Sequence, residues 1–217
     1  MRAATQVASG AHDAHFPVDV FQTGSGTSSN MNANEVIASL ASTARRRVHP
    51  NDHVNFGQSS NDVVPSAISV ACVLEARTAL LPALRHLKVA IDRRARALAL
   101  TTKTGRTHLM DAMPLTFGQE LSGWSAQLGS ATERIENTLT RLCKLPLGGT
   151  AVGTGVNADP RFAKLALGAL SKVSRTKFTS ARNLFEGIAS QDASVELSGQ
   201  LNALAVALMK IANDLRW

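Results

Sequence analysis

Apolar residues recur every three or four positions in long stretches of the chain, with polar residues between them. One stretch has its apolar positions at Leu80, Leu84, Leu87, Ile91, Ala95 and Leu98. The next has them at Leu121, Trp124, Leu128, Ala131, Ile135, Leu139 and Leu142. This spacing places the apolar side chains on one face of an α-helix. We therefore predict two long helices, with a kink or break at Pro82 and with Pro114 opening the second.

The last stretch has the regularity of a heptad seam. Its apolar positions step alternately by four and three, at Leu197, Leu201, Leu204, Leu208, Ile211 and Leu215. Narrow stripes of this kind pack in elongated bundles, within one chain or between chains. Strand-like alternation is missing apart from residues 18–21. The predicted fold is all-α, an elongated bundle of long helices with a small loop-rich N-terminal part, in which Asn34 caps a short helix over 35–41.

Composition agrees with a soluble globular protein of one or two domains. The chain has 217 residues, of which 44% are hydrophobic and only two are cysteines. It contains no apolar run of about 18 residues, and its first residues lack the apolar core of a secretion signal. We therefore expect no membrane association, no disulfide scaffold and a cytoplasmic location.

The net charge of +7 is concentrated in one segment. Between Arg85 and Arg106 seven basic residues are opposed only by Asp92, so six of the seven net charges fall there. A solvated helix face explains this pattern, and so does a surface that faces an anion or a partner. No aromatic side chain for stacking on bases lies in the segment, which argues against nucleic acid as a partner.

Two polar segments have the composition of an anion site. Residues 23–30 combine two glycines with hydroxyl side chains, and glycine permits close approach of the backbone. No Gly-Lys-Ser/Thr follows, so this segment is not a phosphate P-loop. Residues 59–62 precede a helical pattern, where free N–H groups and the helix dipole favour a carboxylate. An ordinary surface loop and a helix cap at Asn61 or Asp62 explain the same residues without a ligand.

A third polar segment, residues 106–111, is a predicted loop between two long helices. It places His108 beside Thr107 and close to Asp111. A histidine oriented in this way can transfer protons near neutral pH. A surface histidine without a catalytic role is the alternative.

A fourth polar segment contains His49 and His53, spaced as in a zinc-binding helix. Pro50 argues against a regular helix there, and no third ligand of the type Cys or Glu lies nearby. We therefore expect no metal site. A surface anion pocket formed by Arg46, His49 and Asn51 is the preferred interpretation.

Taken together and in this order, the polar segments resemble the signatures of the fumarase/aspartase superfamily. The matching residues are 24–36, 49–55 with 58–62, 105–112 with 118–120, 148–157 and 210–217. Within that superfamily, His108 after Thr107 is similar to the class II, iron-independent fumarate hydratases, since aspartases carry Gln at that place. The Ser59-Ser60-Asn61 pattern favours the same class. An aspartase-type or other superfamily lyase, and a non-catalytic helical remnant that still assembles, are the alternatives.

The resemblance implies a hydro-lyase of the tricarboxylic acid cycle that adds water to fumarate reversibly and in anti fashion, giving L-malate, without metal or cofactor. It implies substrate contacts from Ser25, Gly26, Thr27, Ser59, Ser60, Asn61 and Thr107, and proton transfer by His108 through a water. It also implies a second dicarboxylate site at Arg46, His49, Pro50, Asn51 and Asp52. The family assembles as homotetramers whose catalytic pockets each combine loops from three subunits.

The resemblance further implies two parts, a partial N-terminal lyase domain over 1–57 and a central long-helix bundle domain over 58–217. One departure concerns Phe56-Gly57, which precede Gln58 where the family more often has Ser or Cys. A larger one concerns the mobile Gly-Ser-Ser loop with Lys and Asn, whose serine is regarded as the general base of the family. The 217 residues contain no such motif. We therefore expect negligible hydratase activity from these residues by themselves.

Overall fold

The computed structural model describes all residues from 1 to 217. Its α-helices are α1 (Arg2–Ala8), α2 (Thr27–Ala41), α3 (Ser60–Glu75), α4 (Leu81–Ala97), α5 (Phe117–Leu142), α6 (Phe162–Ser174), α7 (Leu184–Ala189) and α8 (Asp192–Arg216). Its strands are β1 (Thr102–Thr107), β2 (Met110–Thr116), β3 (Lys144–Leu145) and β4 (Thr179–Ser180). The predicted helical fold is therefore confirmed, with short strands added to it.

The chain divides into two compact units. The first comprises Met1–Ala71 and Cys143–Gln191, and the second comprises Cys72–Leu142 and Asp192–Trp217. The predicted domain division between residues 57 and 58 rests on the family resemblance and stays a prediction.

The core of the second unit forms along α5, which packs against α4 and α8. Every predicted apolar position of α5 from Trp124 to Leu142 is buried, and Leu128 and Ile135 are fully enclosed. The neighbouring helices contribute Leu84, Ile91, Leu197, Leu204 and Ile211. The three-and-four spacing of apolar residues thus identifies the core of this unit correctly.

An irregular turn separates α3 from α4. Residues Ala76–Leu80 form a π-helical turn, and Pro82 follows within the first turn of α4. Proline lacks an N–H, and its ring clashes with the carbonyl four residues earlier, here that of Thr78. A wider turn removes this clash without ending the helix. Where a kink or break was predicted, the helix is not broken: it continues through a π-helical turn that lies just before the proline.

The segment between α4 and α5 is a β-hairpin, and the prediction of a loop there is wrong. Strands β1 and β2 pair in antiparallel fashion, with Thr102 opposite Thr116 and Thr107 opposite Met110. Pro114 lies within β2, opposite Thr104, and α5 begins only at Phe117. The prediction that Pro114 opens the helix is therefore wrong as well. Proline is tolerated at this place because a two-stranded hairpin has only edge strands.

The first unit contains the shorter helices and the polar loops. Helix α2 begins directly after Gly26, so Asn34 lies in its interior and is buried, and the prediction of Asn34 as a helix cap is wrong. The helical pattern over 35–41 is the second half of this longer helix. Strands β3 and β4 pair in parallel and join residues 144–145 to residues 179–180.

Two helical stretches, Ser60–Ala97 and Asp192–Arg216, are long and apolar enough to cross a membrane by length and composition alone. Core helices of soluble proteins pass the same test. Only about a fifth of the most apolar part of each stretch is buried within the chain. The expected lack of membrane association therefore stays a prediction, and both stretches retain apolar surface that the chain itself does not cover.

Candidate active site

The Ser59–Asn61 segment forms the start of α3 and is closed by a reciprocal cap. The Ser59 hydroxyl accepts the Asn61 N–H at 3.2 Å, while the Ser59 N–H donates to Asp62 Oδ1 at 3.0 Å. This pairing satisfies two of the N–H groups that a helix start leaves free. Ser59 is thus the cap residue, and Asp62 assists from within the first turn. The prediction of Asn61 or Asp62 as the cap is therefore wrong, because both residues lie inside α3.

Asp62 also binds a distant loop. Its Oδ2 accepts the N–H of Gly148 at 2.8 Å and that of Thr150 at 3.0 Å, and the side chain is completely buried. A buried carboxyl group is costly unless hydrogen bonds compensate for the lost water, and three backbone donors do so here. The sequence predicted a local cap for Asp62 and gave no sign of these partners, because they lie more than 80 residues away.

The Thr23–Asn30 segment lies against the start of α3. Gly26 has a φ of +66°, and a Cβ at this position would approach a Val64 methyl to 2.7 Å. Glycine is required at Gly26 on both grounds. The amide of Asn30 donates to the Ser60 hydroxyl at 3.1 Å. The first unit therefore brings the two polar segments together, as an anion site built from both would need.

Hydroxyl groups line the start of α2. The Ser25 hydroxyl lies 3.2 Å from that of Thr23 and 3.0 Å from that of Thr27, and all three side chains are exposed. Both α2 and α3 begin at these segments, and a helix start presents unpaired N–H groups and partial positive charge. Hydroxyl and amide donors at two neighbouring helix starts are suited to binding a small carboxylate.

Thr107 and His108 belong to the second unit, at the tip of the hairpin. His108 and Leu109 form its two-residue turn with φ values of +50° and +62°, as in a type I′ turn. Both side chains are exposed. In β1 a Cβ on Gly105 would lie 2.4 Å from the Met113 carbonyl oxygen, so glycine is required where the strand register shifts. The hairpin thus presents His108 on a defined turn at the surface.

The predicted second site lies on a π-helical turn over Pro50–Val54. The Nδ1 atom of His49 accepts the Asp52 N–H at 3.2 Å, and the Nδ1 atom of His53 accepts the His49 N–H at 2.8 Å. Both histidines therefore use one ring nitrogen to hold this turn. Arg46 and Asn51 are exposed.

One ion pair and one hydrogen bond of the second unit connect α5 to its two neighbouring helices. The Arg141 guanidinium of α5 donates to both carboxylate oxygens of Glu196 on α8, each at 2.5 Å, and thereby lowers the pKa of Glu196. The Ser125 hydroxyl of α5 donates to Asp92 of α4 at 2.5 Å, and this bond, with help from Lys88, lowers the pKa of Asp92. Hydrogen bonds to the ionised form produce both shifts.

Comparison with known proteins identifies the family. A protein-family model described as lyase matches residues 1–217. A class II fumarate hydratase of Xylella fastidiosa is 64% identical over 216 residues, which make up 99% of this chain and 46% of that protein. One from Pseudomonas aeruginosa is 57% identical over 206 residues, covering 94% of this chain and 44% of that protein.

A solved structure agrees with these sequence matches. The crystal structure of recombinant class II fumarase from Schistosoma mansoni matches 98% of this chain and 49% of its own, with a TM-score of 0.95 and 40% identity. The chain thus spans about half the length of the relatives it matches. Since the lyase model covers every residue, this chain belongs to the lyase family and is similar over its whole length to class II fumarate hydratases.

Proposed function

We propose that this chain provides dicarboxylate-binding and proton-transfer residues of a class II fumarate hydratase, which adds water to fumarate to give L-malate. The observation that carries the proposal is the meeting of two hydroxyl-rich helix starts in the first unit, joined by the bond from Asn30 to Ser60. In this proposal Ser25, Gly26, Thr27, Ser59, Ser60, Asn61 and Thr107 bind substrate. The proposed site needs no metal and no cofactor.

The chemistry explains why such donors are needed. In the direction of malate dehydration, a weakly acidic C–H proton leaves from the carbon next to a carboxylate, which then carries two negative charges. Hydrogen-bond donors placed in advance where this charge develops lower the barrier. Hydroxyls, the Asn61 amide and helix N–H groups are donors of this kind. His108 takes part in proton transfer through a water, since imidazole exchanges protons near neutral pH.

Residues Arg46, His49, Pro50, Asn51 and Asp52 form the proposed second dicarboxylate site. Its support is the exposed Arg46 guanidinium and the exposed π-helical turn that begins at Pro50. Arginine recognises carboxylates through paired N–H donors.

We further propose a cytoplasmic location.

We also propose that the chain assembles as a homotetramer through α5 and α8. The exposed seam positions Leu201 and Leu215 support this, as does an open groove between the two helices. Small and apolar residues line much of this groove, among them Ala126, Ala203 and Val206. Small side chains allow another helix to approach closely, and seam residues of this spacing pack between chains.

The decisive experiment uses a chimera in which this chain replaces the matching 216 residues of the Xylella fastidiosa relative. Fumarate hydration is followed by the loss of ultraviolet absorbance. We expect the chimera to turn over fumarate and the 217 residues alone to show negligible activity. His108→Asn in the chimera should lower kcat by about 100-fold or more, whereas His86→Asn, at an exposed position of α4, should leave it unchanged.

A folded chimera without hydratase activity would contradict the proposal, provided that the parent relative is active in the same assay. Ammonia release from aspartate would instead support the aspartase-type alternative. Full activity of the His108→Asn chimera would remove this histidine from proton transfer while leaving the rest of the proposal in place.

A further inference from the structure

Asp62 is fully buried, and it connects two segments that are far apart in sequence. Its Oδ1 accepts the Ser59 N–H, and its Oδ2 accepts the N–H groups of Gly148 and Thr150. The two carboxylate oxygens of Asp62 thus hold the start of α3 against the loop that follows β3. Substrate contact is proposed for the three residues before Asp62, whereas Asp62 itself has no exposed surface and cannot touch a ligand.

Asn61 makes a further hydrogen bond between the same two segments. The amide of Asn61 donates through Nδ2 to the carbonyl oxygen of Ala151 at 2.9 Å. This bond uses one of the two Nδ2 hydrogens and leaves the other to donate to a carboxylate. The rotamer of Asn61 therefore depends on where residues 148–151 lie.

The loop over 148–151 packs closely against α6 and α7. A Cβ on Gly148 would lie 2.6 Å from the Cβ of Ala163 in α6, and one on Gly149 would lie 2.7 Å from a methyl of Ile188 in α7. Thr150 has a φ of +55°, a conformation that β-branched residues rarely adopt. Its hydroxyl is buried without a hydrogen-bond partner. A strained residue of this kind persists only where its surroundings fix it, and its N–H is one of the three that Asp62 accepts.

We propose that Asp62 is a positioning residue, whose carboxylate fixes the Ser59–Asn61 segment against the Gly148–Ala151 loop and so orients Ser60 and Asn61 toward a dicarboxylate. This inference rests on the proposed function. The affinity of the site for a dicarboxylate then depends on Asp62, although this side chain does not contact the ligand. Because Ser60 and Asn61 lie next to Asp62 in the same helical turn, any displacement of the Asp62 side chain shifts their positions directly.

The first test compares Asp62→Asn with Asp159→Asn in the 217-residue chain. Asp159 is a matched control, because its carboxylate also accepts a backbone N–H, from Arg161 at 2.8 Å, yet it is exposed in the same unit. An amide at position 62 places an NH₂ group against backbone N–H donors on one side. We expect faster amide hydrogen exchange at Gly148, Thr150 or Ser59, and an affinity for fumarate lowered by about tenfold or more. The control should change neither.

The second test needs no substitution and covers the case in which Asp62→Asn does not fold. If the clamp and the site are coupled, ligand binding must stabilise the clamp, because coupling between two sites is reciprocal. Saturating fumarate should therefore slow amide exchange at Gly148 and Thr150 in the unsubstituted chain. A clamp that only holds the fold together would be slowed no more than a core amide of the second unit, such as that of Leu128, because binding to the folded state stabilises the whole fold.

The outcomes separate this inference from the proposed function. No fumarate binding by the unsubstituted chain, up to millimolar concentrations, would overturn the proposed binding role of its loops and this inference with it. Fumarate binding without any change in exchange at Gly148 and Thr150 would overturn the inference alone. So would a folded Asp62→Asn chain that binds fumarate as tightly as the Asp159→Asn control.

Discussion

Helices α5 and α8 have the same spacing of apolar residues and differ in how much of it the chain buries. In α5 all the predicted positions from Trp124 to Leu142 are buried. In α8 only every second one is, at Leu197, Leu204 and Ile211, whereas Leu201 and Leu215 are 39% and 71% exposed. The difference arises because α5 packs against both α4 and α8, while α8 has α5 as its main neighbour.

The buried apolar residues stabilise the fold of a single chain, whereas the exposed ones on α8 are available to bind another chain. Each leucine that moves from water into a core contributes about 1.5–3 kcal/mol. On α5 this gain is made within the chain. On α8 the exposed leucines, Leu201 and Leu215, can make this gain only against another surface, in agreement with the proposed homotetramer.

The largest expected effect comes from emptying the core of α5. Leu128→Ala should lower the free energy of unfolding by about 2–5 kcal/mol, because it leaves a cavity in a fully enclosed site. Leu201→Ala on α8 should lower it by less than about 1 kcal/mol at concentrations where the chain is monomeric. Urea unfolding measures both. Equal losses would contradict the distinction between the two helices.

The second effect concerns the two exposed positions of the α8 seam. Combining Leu201→Lys with Leu215→Lys should shift the assembly toward monomers, with dissociation constants raised by about tenfold or more, since charges would be buried between chains. Light scattering over a range of concentrations measures this. Val173→Lys is the control, at a position of α6 that is 85% exposed. A strictly monomeric unsubstituted chain would contradict the assembly proposal.

The smallest effect concerns the ion pair that joins the two helices. The Arg141 hydrogen bond lowers the pKa of Glu196 in the folded chain. The stabilisation is therefore present above the ordinary pKa of glutamate, about 4.3, and is lost as the pH falls through the lower folded value. Glu196→Gln should flatten the fall of the urea midpoint between about pH 5 and 3.

A control on the same surface tests whether this pH dependence belongs to the pair. Glu133→Gln changes an exposed glutamate of α5 and should leave the pH dependence as it is. If both substitutions flatten the curve equally, the effect comes from the overall charge of the chain.

Much of the candidate site could be read from the residues. Hydroxyl and amide side chains in short polar segments indicated anion binding, and their order along the chain indicated the family. The start of α3 was predicted as a helix start, although the cap lies at Ser59. The expected metal-free character of the His49–His53 turn stays a prediction, while the structure shows what the two Nδ1 atoms do there.

The hairpin that carries His108 could not be predicted from the sequence. Its turn residues are His108 and Leu109, whereas turns with two positive φ values usually contain Asn or Gly. A two-stranded hairpin is marginally stable in isolation, so its formation depends on neighbouring structure. Here Lys103 of β1 pairs with Glu120 of α5 at 2.5 Å and ties the hairpin to the helix that follows.

By itself the sequence determined the long helices and the buried face of α5, because the period of apolar residues is a local property of the chain. It also determined the family, because the polar signatures are contiguous. Only the tertiary structure decided that Asp62 holds Gly148 and Thr150, that Asn34 is buried inside α2, and that two of the six α8 seam positions stay exposed. Each of these depends on which distant residues come together, and a local pattern does not encode that.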